Sequence, residues 1–148
     1  MNVSTDKRRT VVASSVPVAP GCLPTKWWRS IAAPNFHLMA LGAMQAAIEK
    51  VEMLGEPRWR EAVAGDAASA VGMALAFDRM QASSGKFDLV MTALVICASE
   101  GDATACVVLS NIIRRVPNAG KREARVATSW LMQVFRPIAE RHLSPRLK

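Results

Sequence analysis

The chain has 148 residues, of which 51% are hydrophobic and 21% charged. Those proportions exclude bulk disorder and collagen-like repeats, and the length lets one domain bury a core without disulfides or a structural metal. The formal net charge of +7 is unevenly spread: residues 1–30 carry five cations against Asp6, residues 31–110 carry five against nine carboxylates, and residues 111–148 carry nine against Glu123 and Glu140.

Residues 1–24 read as a flexible basic tail. Asp6-Lys7-Arg8-Arg9 precedes Val11 to Cys22 in the manner of a secretory leader, but Ser14, Ser15, Pro17 and Pro20 interrupt the apolar run such a leader needs. Residues 25–148 read as one helical domain. Lys26-Trp27-Trp28-Arg29 sets two indoles between cations. On a helix they point about 100° apart, so one can anchor on a core while the other faces out. Pro34-Asn35 opens a helical pattern to Leu54, in which Phe36, Met39, Ala40, Ala43, Ala47, Ile48 and Val51 recur at helical spacing and Gly55 stops the helix. His37, in its first turn, reads as a partly buried packing residue. Pro57 starts a short helix holding Trp59, Ala62 and Val63, and Gly65 ends it.

Asp66 is an N-cap for a helix to about Gln81. Ser83-Ser84-Gly85 reads as a loop, followed by a helix over residues 87–99. Asp102 caps another to about Arg115, and Val116-Pro117-Asn118-Ala119-Gly120 forms a turn. A last helix runs from Lys121 to about Leu143, kinked at Pro137. Usage rich in Ala, Leu, Met, Glu and Arg, with no alternation at period two, makes the fold all-α, with about six helices.

Gly65-Asp66-Ala67 recurs as Gly101-Asp102-Ala103, 36 positions later. Beyond it Ser69 aligns with Ala105, Ala70 with Cys106, Val71 with Val107, Met73 with Leu109, and Ala74 with Ser110. Small residues meet small ones and large apolar residues meet large ones, the pattern of stacked helix pairs. Over residues 65–136 this resembles the Sel-one-like repeat, a relative of the tetratricopeptide repeat. Against that family's pattern Cys97-Ala98-Ser99-Glu100-Gly101 fits the ending of the second helix and Ala127-Thr128-Ser129-Trp130 the aromatic segment of the next repeat. Ser110 and Ala74 stand where the family carries a glycine. The resemblance implies antiparallel helix pairs in a short right-handed repeat-like bundle. It also implies a scaffold or adaptor that presents a helical surface to partner proteins. The family has no shared catalytic residues to carry over.

Nothing in the sequence points to an enzyme. It holds no phosphate-cradling glycine loop, no H-E-x-x-H, no C-x-x-C and no G-x-S-x-G. A zinc site would need His37 and His142, from opposite ends of the domain, to converge with cysteines, so no metal or cofactor is expected. Glu49, Glu52 and Glu56 beside Lys50 and Arg60 read as a solvated charged face. Cys22, Cys97 and Cys106 are odd in number, which argues against a disulfide framework and for a reducing, cytoplasmic setting. Cys97 and Cys106 lack a basic activator.

The leading expectation is a non-enzymatic protein-interaction module, with Trp27, Trp28, Arg114, Arg115, Lys121, Arg122 and Arg125 as the partner-binding residues. A homo-oligomer would cover faces that two repeat copies leave open. The alternatives are a basic accessory protein that binds nucleic acid through its cationic ends and an exported effector whose tail is its signal. No run reaches the roughly 18 apolar residues of a membrane span.

Overall fold

The computed structural model describes residues 23–80 and 84–136. The tail over residues 1–22, Cys22, His142 and the kink at Pro137 lie outside the described residues. The described chain is all-helical, with six α-helices and two short 3-10 turns.

The chain enters through a 3-10 turn, Pro24–Arg29. Proline opens it with its fixed φ, and the turn drops Trp28 into the interior. A second 3-10 turn, Ala33–Asn35, follows. The first α-helix, α1, begins only at Leu38 and ends at Glu49. Pro34 therefore opens a separate turn and not the long helix its spacing suggests. The reason is tertiary. The Ala33 N–H donates to Ser129 Oγ at 2.9 Å, and Phe36 lies 5.4 Å from the Trp130 ring. These contacts hold Phe36 and His37 in extended backbone. His37 is exposed, at the N-cap position of α1, and is not packed inside.

Helix α1 buries Ala40, Met44 and Ile48, one residue per turn. It stops five residues short of the expected Leu54, because Val51 turns its carbonyl to accept the Trp59 indole N–H at 2.8 Å. Gly55 (φ +79°) then reverses the chain into α2, Arg58–Val63. Helix α3 spans Ala67–Met80 and α4 spans Ser84–Ser99. Ser84 and Gly85 are thus helical, not loop. A Cβ on Gly85 would meet nothing within 4 Å, so this exposed first turn tolerates small residues. Helix α5 spans Ala103–Arg114 and α6 spans Lys121–Val134.

Helix α4 is the axle. Every residue from Val90 to Ala98 is buried, as expected of a helix apolar all round. Around it pack α1, α2, α3, α5 and the Pro24–Arg29 turn, while α6 closes over α5. Trp28, Trp59 and Trp130 are almost wholly buried. Among the described residues no helix is long and apolar enough to cross a membrane.

The 36-residue spacing is visible in the backbone. Gly65 and Gly101 have φ of +101° and +102°. Each follows its helix as the left-handed residue of a Schellman motif. The Gly65 N–H donates to Ala62 and the Asp66 N–H to Glu61; the Gly101 N–H donates to Ala98 and the Asp102 N–H to Cys97. Each aspartate then caps the next helix: Asp66 accepts from the Ser69 N–H at 3.0 Å and Asp102 from the Ala105 N–H at 2.7 Å. Burial follows the same register. Ser69, Ala70, Met73, Ala74 and Phe77 are buried, and so are Ala105, Cys106, Leu109, Ser110 and Ile113.

Candidate interaction surface

The residues singled out from sequence separate into anchors and surface. Trp28 is an anchor. It is fully buried, its Nε1–H donates to Asp88 Oδ1 at 2.9 Å, and its ring meets Phe87 edge-on at 5.7 Å. Arg29 lies 4.8 Å over the same indole and pairs with Asp88 at 3.2 Å. Thr92 adds a hydrogen bond to the Thr25 carbonyl at 3.2 Å. Trp28 therefore has no surface to offer a partner, and the expectation that it binds one is corrected. Burial of the large apolar ring, with its one polar group satisfied by a carboxylate, explains the position. Trp27 is half-buried and packs against the core from outside.

The cationic cluster also divides. Arg115 is tied down, pairing with Asp78 of α3 at 2.9 Å and donating to Asn111 at 3.0 Å. It braces α5 against α3 and is not part of the basic face. Arg114 turns the other way and donates to Thr128 Oγ1 on α6 at 2.8 Å. Lys121, Arg122 and Arg125 are exposed, with no ion pair among the described residues. Their helix has Gly120 at its N-cap, whose N–H donates to Glu123 at 2.8 Å. That bond, with the N–H groups of the first turn, holds the Glu123 carboxyl below the usual carboxylate range. The one acidic side chain of the turn is thereby committed to capping, and the cations face solvent beside the positive end of the helix.

The sequence reading missed how this face continues. Lys121, Arg125, Thr128, Met132 and Phe135 recur at steps of four and three, one stripe of a helix, and all five are exposed. Met132 is 59% and Phe135 71% exposed. Leu38 and Met39, at the start of α1, are 78% and 82% exposed. The surface is basic at the N-terminal end of α6 and apolar at its C-terminal end. The periodicity was readable, but it resembles a buried stripe until Val126, Ala127 and Trp130 are seen to supply the core face.

A second feature lies between the end of α1 and α2. A hollow of about 490 Å³ is lined by Glu49, Val51, Glu52, Leu54, Glu56 and Arg60, among others. Leu54 stands at its edge, 90% exposed. Glu52 pairs with Arg60 at 3.2 Å and Glu49 accepts from Gln45 at 3.0 Å, both in the open. The carboxylates are a solvated face, though one folded around apolar side chains.

Among the described residues no three His, Cys, Asp or Glu side chains converge as metal ligands. Burial, with Glu100, Asp102 and Asp66 nearby, pushes the Cys97 thiol up to about 11, the opposite of what a nucleophile needs. Cys106 is buried against the Ala98 carbonyl, at 3.5 Å. No protein-family model, curated protein or solved structure matches the chain.

Proposed function

We propose that this protein is a non-enzymatic interaction module, an adaptor or scaffold subunit resembling a short Sel-one-like repeat protein, that binds a protein partner in the cytoplasm through its helical surface. The observation that supports this best is the outer face of α6. It sets Met132 and Phe135 in solvent on the same stripe as Lys121 and Arg125. Large exposed apolar side chains rimmed by charge mark interaction surfaces, where desolvated aromatic anchors supply most of the binding energy. Lys121, Arg122, Arg125 and Arg114 would steer an acidic partner. Trp28 and Arg115 contribute by holding the frame.

The test compares partners captured by the tagged wild-type chain and by a Met132→Asp/Phe135→Asp variant, each with and without nuclease. A protein retained by wild type after nuclease and lost by the variant supports the reading. An identical set of partners for both chains sinks it.

A second reading has its own support. The unpaired cations at the start of α6 suit a phosphate backbone. It predicts RNA or DNA affinity that falls steeply with salt and with Lys121, Arg122 and Arg125 changed to Ala. Absence of binding at low salt ends it.

A further inference from the structure

The interaction reading leaves open what the α6 face binds, and the molecule carries a complement to it. The stripe offers two cations, Lys121 and Arg125, with the exposed Arg122 beside them, followed by the apolar Met132 and Phe135. The hollow beside α2 offers Glu49, Glu52 and Glu56 against one lining cation, Arg60, which pairs with Glu52; Val51 lies among them and Leu54 stands at the edge. A second hollow of about 480 Å³ shares Glu49 and Arg60 with the first and adds Glu100. Four of the chain's twelve acidic residues thus gather on one side of a protein of net charge +7. The two faces are built on different elements, α6 resting on α5 and α2 resting on α3 and α4, so each copy presents both.

The geometry points to a second copy of this chain as the occupant of the acidic hollow, with the basic, apolar face of its α6 laid along it. This rests on the interaction reading and names one partner for the same surface. A helix placing apolar anchors and flanking cations in an apolar, acidic groove is an established recognition mode. The contact joins two unlike faces, so it is heterologous and grows head to tail, closing only if the rotation permits a ring. Helix α6 is about 21 Å long at 1.5 Å per residue. One such stripe falls short of a standard interface, so the association is weak, on the order of 10–100 μM, and salt-sensitive.

The experiment is sedimentation equilibrium of the full chain at low and high salt, with two charge-reversed variants. One carries Glu52→Lys and Glu56→Lys. The other carries Lys121→Glu, Arg122→Glu and Arg125→Glu. Glu52, Lys121, Arg122 and Arg125 are exposed and Glu56 is half-buried, and glutamates in the first turns of α6 suit its dipole, so both variants are expected to keep the fold; circular dichroism checks this.

Wild type is expected to exceed its monomer mass of 16.0 kDa at low salt and return to it at high salt. Each variant alone is expected to stay monomeric, because its two faces now repel. An equimolar mixture is expected to associate again, since each reversed face meets its opposite on the other variant. Monomeric wild type at about 300 μM, some threefold above the weak end of that range, overturns the proposal. So does association that survives reversal, or a mixture that fails to restore it. If self-association is absent while nuclease-resistant capture through Met132 and Phe135 persists, this inference fails and the interaction reading stands. If both are absent, both fail.

Discussion

Asp88 is where the entry segment is locked to the central helix, and removing it gives a graded test. The side chain is 4% exposed, accepts from the Trp28 indole at 2.9 Å and pairs with Arg29 at 3.2 Å. Asp88→Ala leaves a fully buried indole N–H without a partner, which costs about 1–3 kcal/mol. The lost pair adds little, because Arg29 is 44% exposed and can turn to water, so about 0–1 kcal/mol is the relevant range. We expect a total of about 1–4 kcal/mol, a large share of the roughly 5–15 kcal/mol that holds a domain together. Asp88→Asn keeps an acceptor for the indole and gives up only the charge assistance, about 1 kcal/mol. Trp28→Ala removes the ring itself and should cost about 3–5 kcal/mol. Urea unfolding followed by circular dichroism ranks the three, with Trp28→Ala the most damaging and Asp88→Asn the mildest. The cycle with Trp28→Phe isolates the pairwise contribution. If Asp88→Ala lies within about 0.5 kcal/mol of wild type, the range of neutral surface changes, the lock is not a stabilising contact and the reasoning is wrong.

Three other outcomes follow from the joints and the core. Asp102→Ala should cost about 1 kcal/mol through loss of the α5 cap, lowering Tm by roughly 2–4 °C; Gly101→Ala should also destabilise, by about 1–2 kcal/mol, because alanine is strained at φ +102°, and equal Tm values for variants and wild type would refute the cap. Asp66 and Glu123 both sit below the ordinary carboxylate range, Asp66 through hydrogen bonds from Ser69 and Glu123 through the Gly120 N–H; their contribution is present above about pH 4 and is lost as acid titrates them below it, so an Asp66→Asn/Glu123→Gln chain should show a flatter fall in Tm from pH 5 to pH 3. Cys97, raised to about 11, favours the folded state below about pH 8.5 and loses that contribution as pH rises toward 11; in a Cys22→Ser background the native chain should resist alkylation at pH 8 and react in denaturant, and rapid native labelling of Cys97 would contradict its burial.

The sequence was most legible where a residue acts on its neighbours. Gly65 and Gly101 need only their local backbone to end a helix, and Asp66 and Asp102 reach N–H groups three residues on, so helix boundaries near them were readable. The failures share the opposite character. Pro34 does not open α1 because Phe36 meets Trp130 and Ala33 meets Ser129, 96 positions away. Trp28 is internal because of Asp88, 60 positions away. Arg115 leaves the basic cluster because Asp78 stands across from it on α3. Long-range partners of this kind leave no trace in local spacing. The surface suffered most, since a basic or apolar stripe reads the same whether it meets solvent or the bundle. Leu54 looked like the last core residue of α1, yet it stands in the open because the Trp59 indole draws Val51 out of the helix.

The paired joints also bear on how long this protein has to be. Gly65 and Gly101 leave their helices with the same twist, and the residue after each starts the next helix with the same carboxylate. A copy of residues 65–100 inserted ahead of Gly101 would therefore meet, at both of its ends, a coupling it already possesses. A chain carrying that extra copy is expected to gain helical signal by circular dichroism and to fold cooperatively, at the expense of one more apolar face to cover.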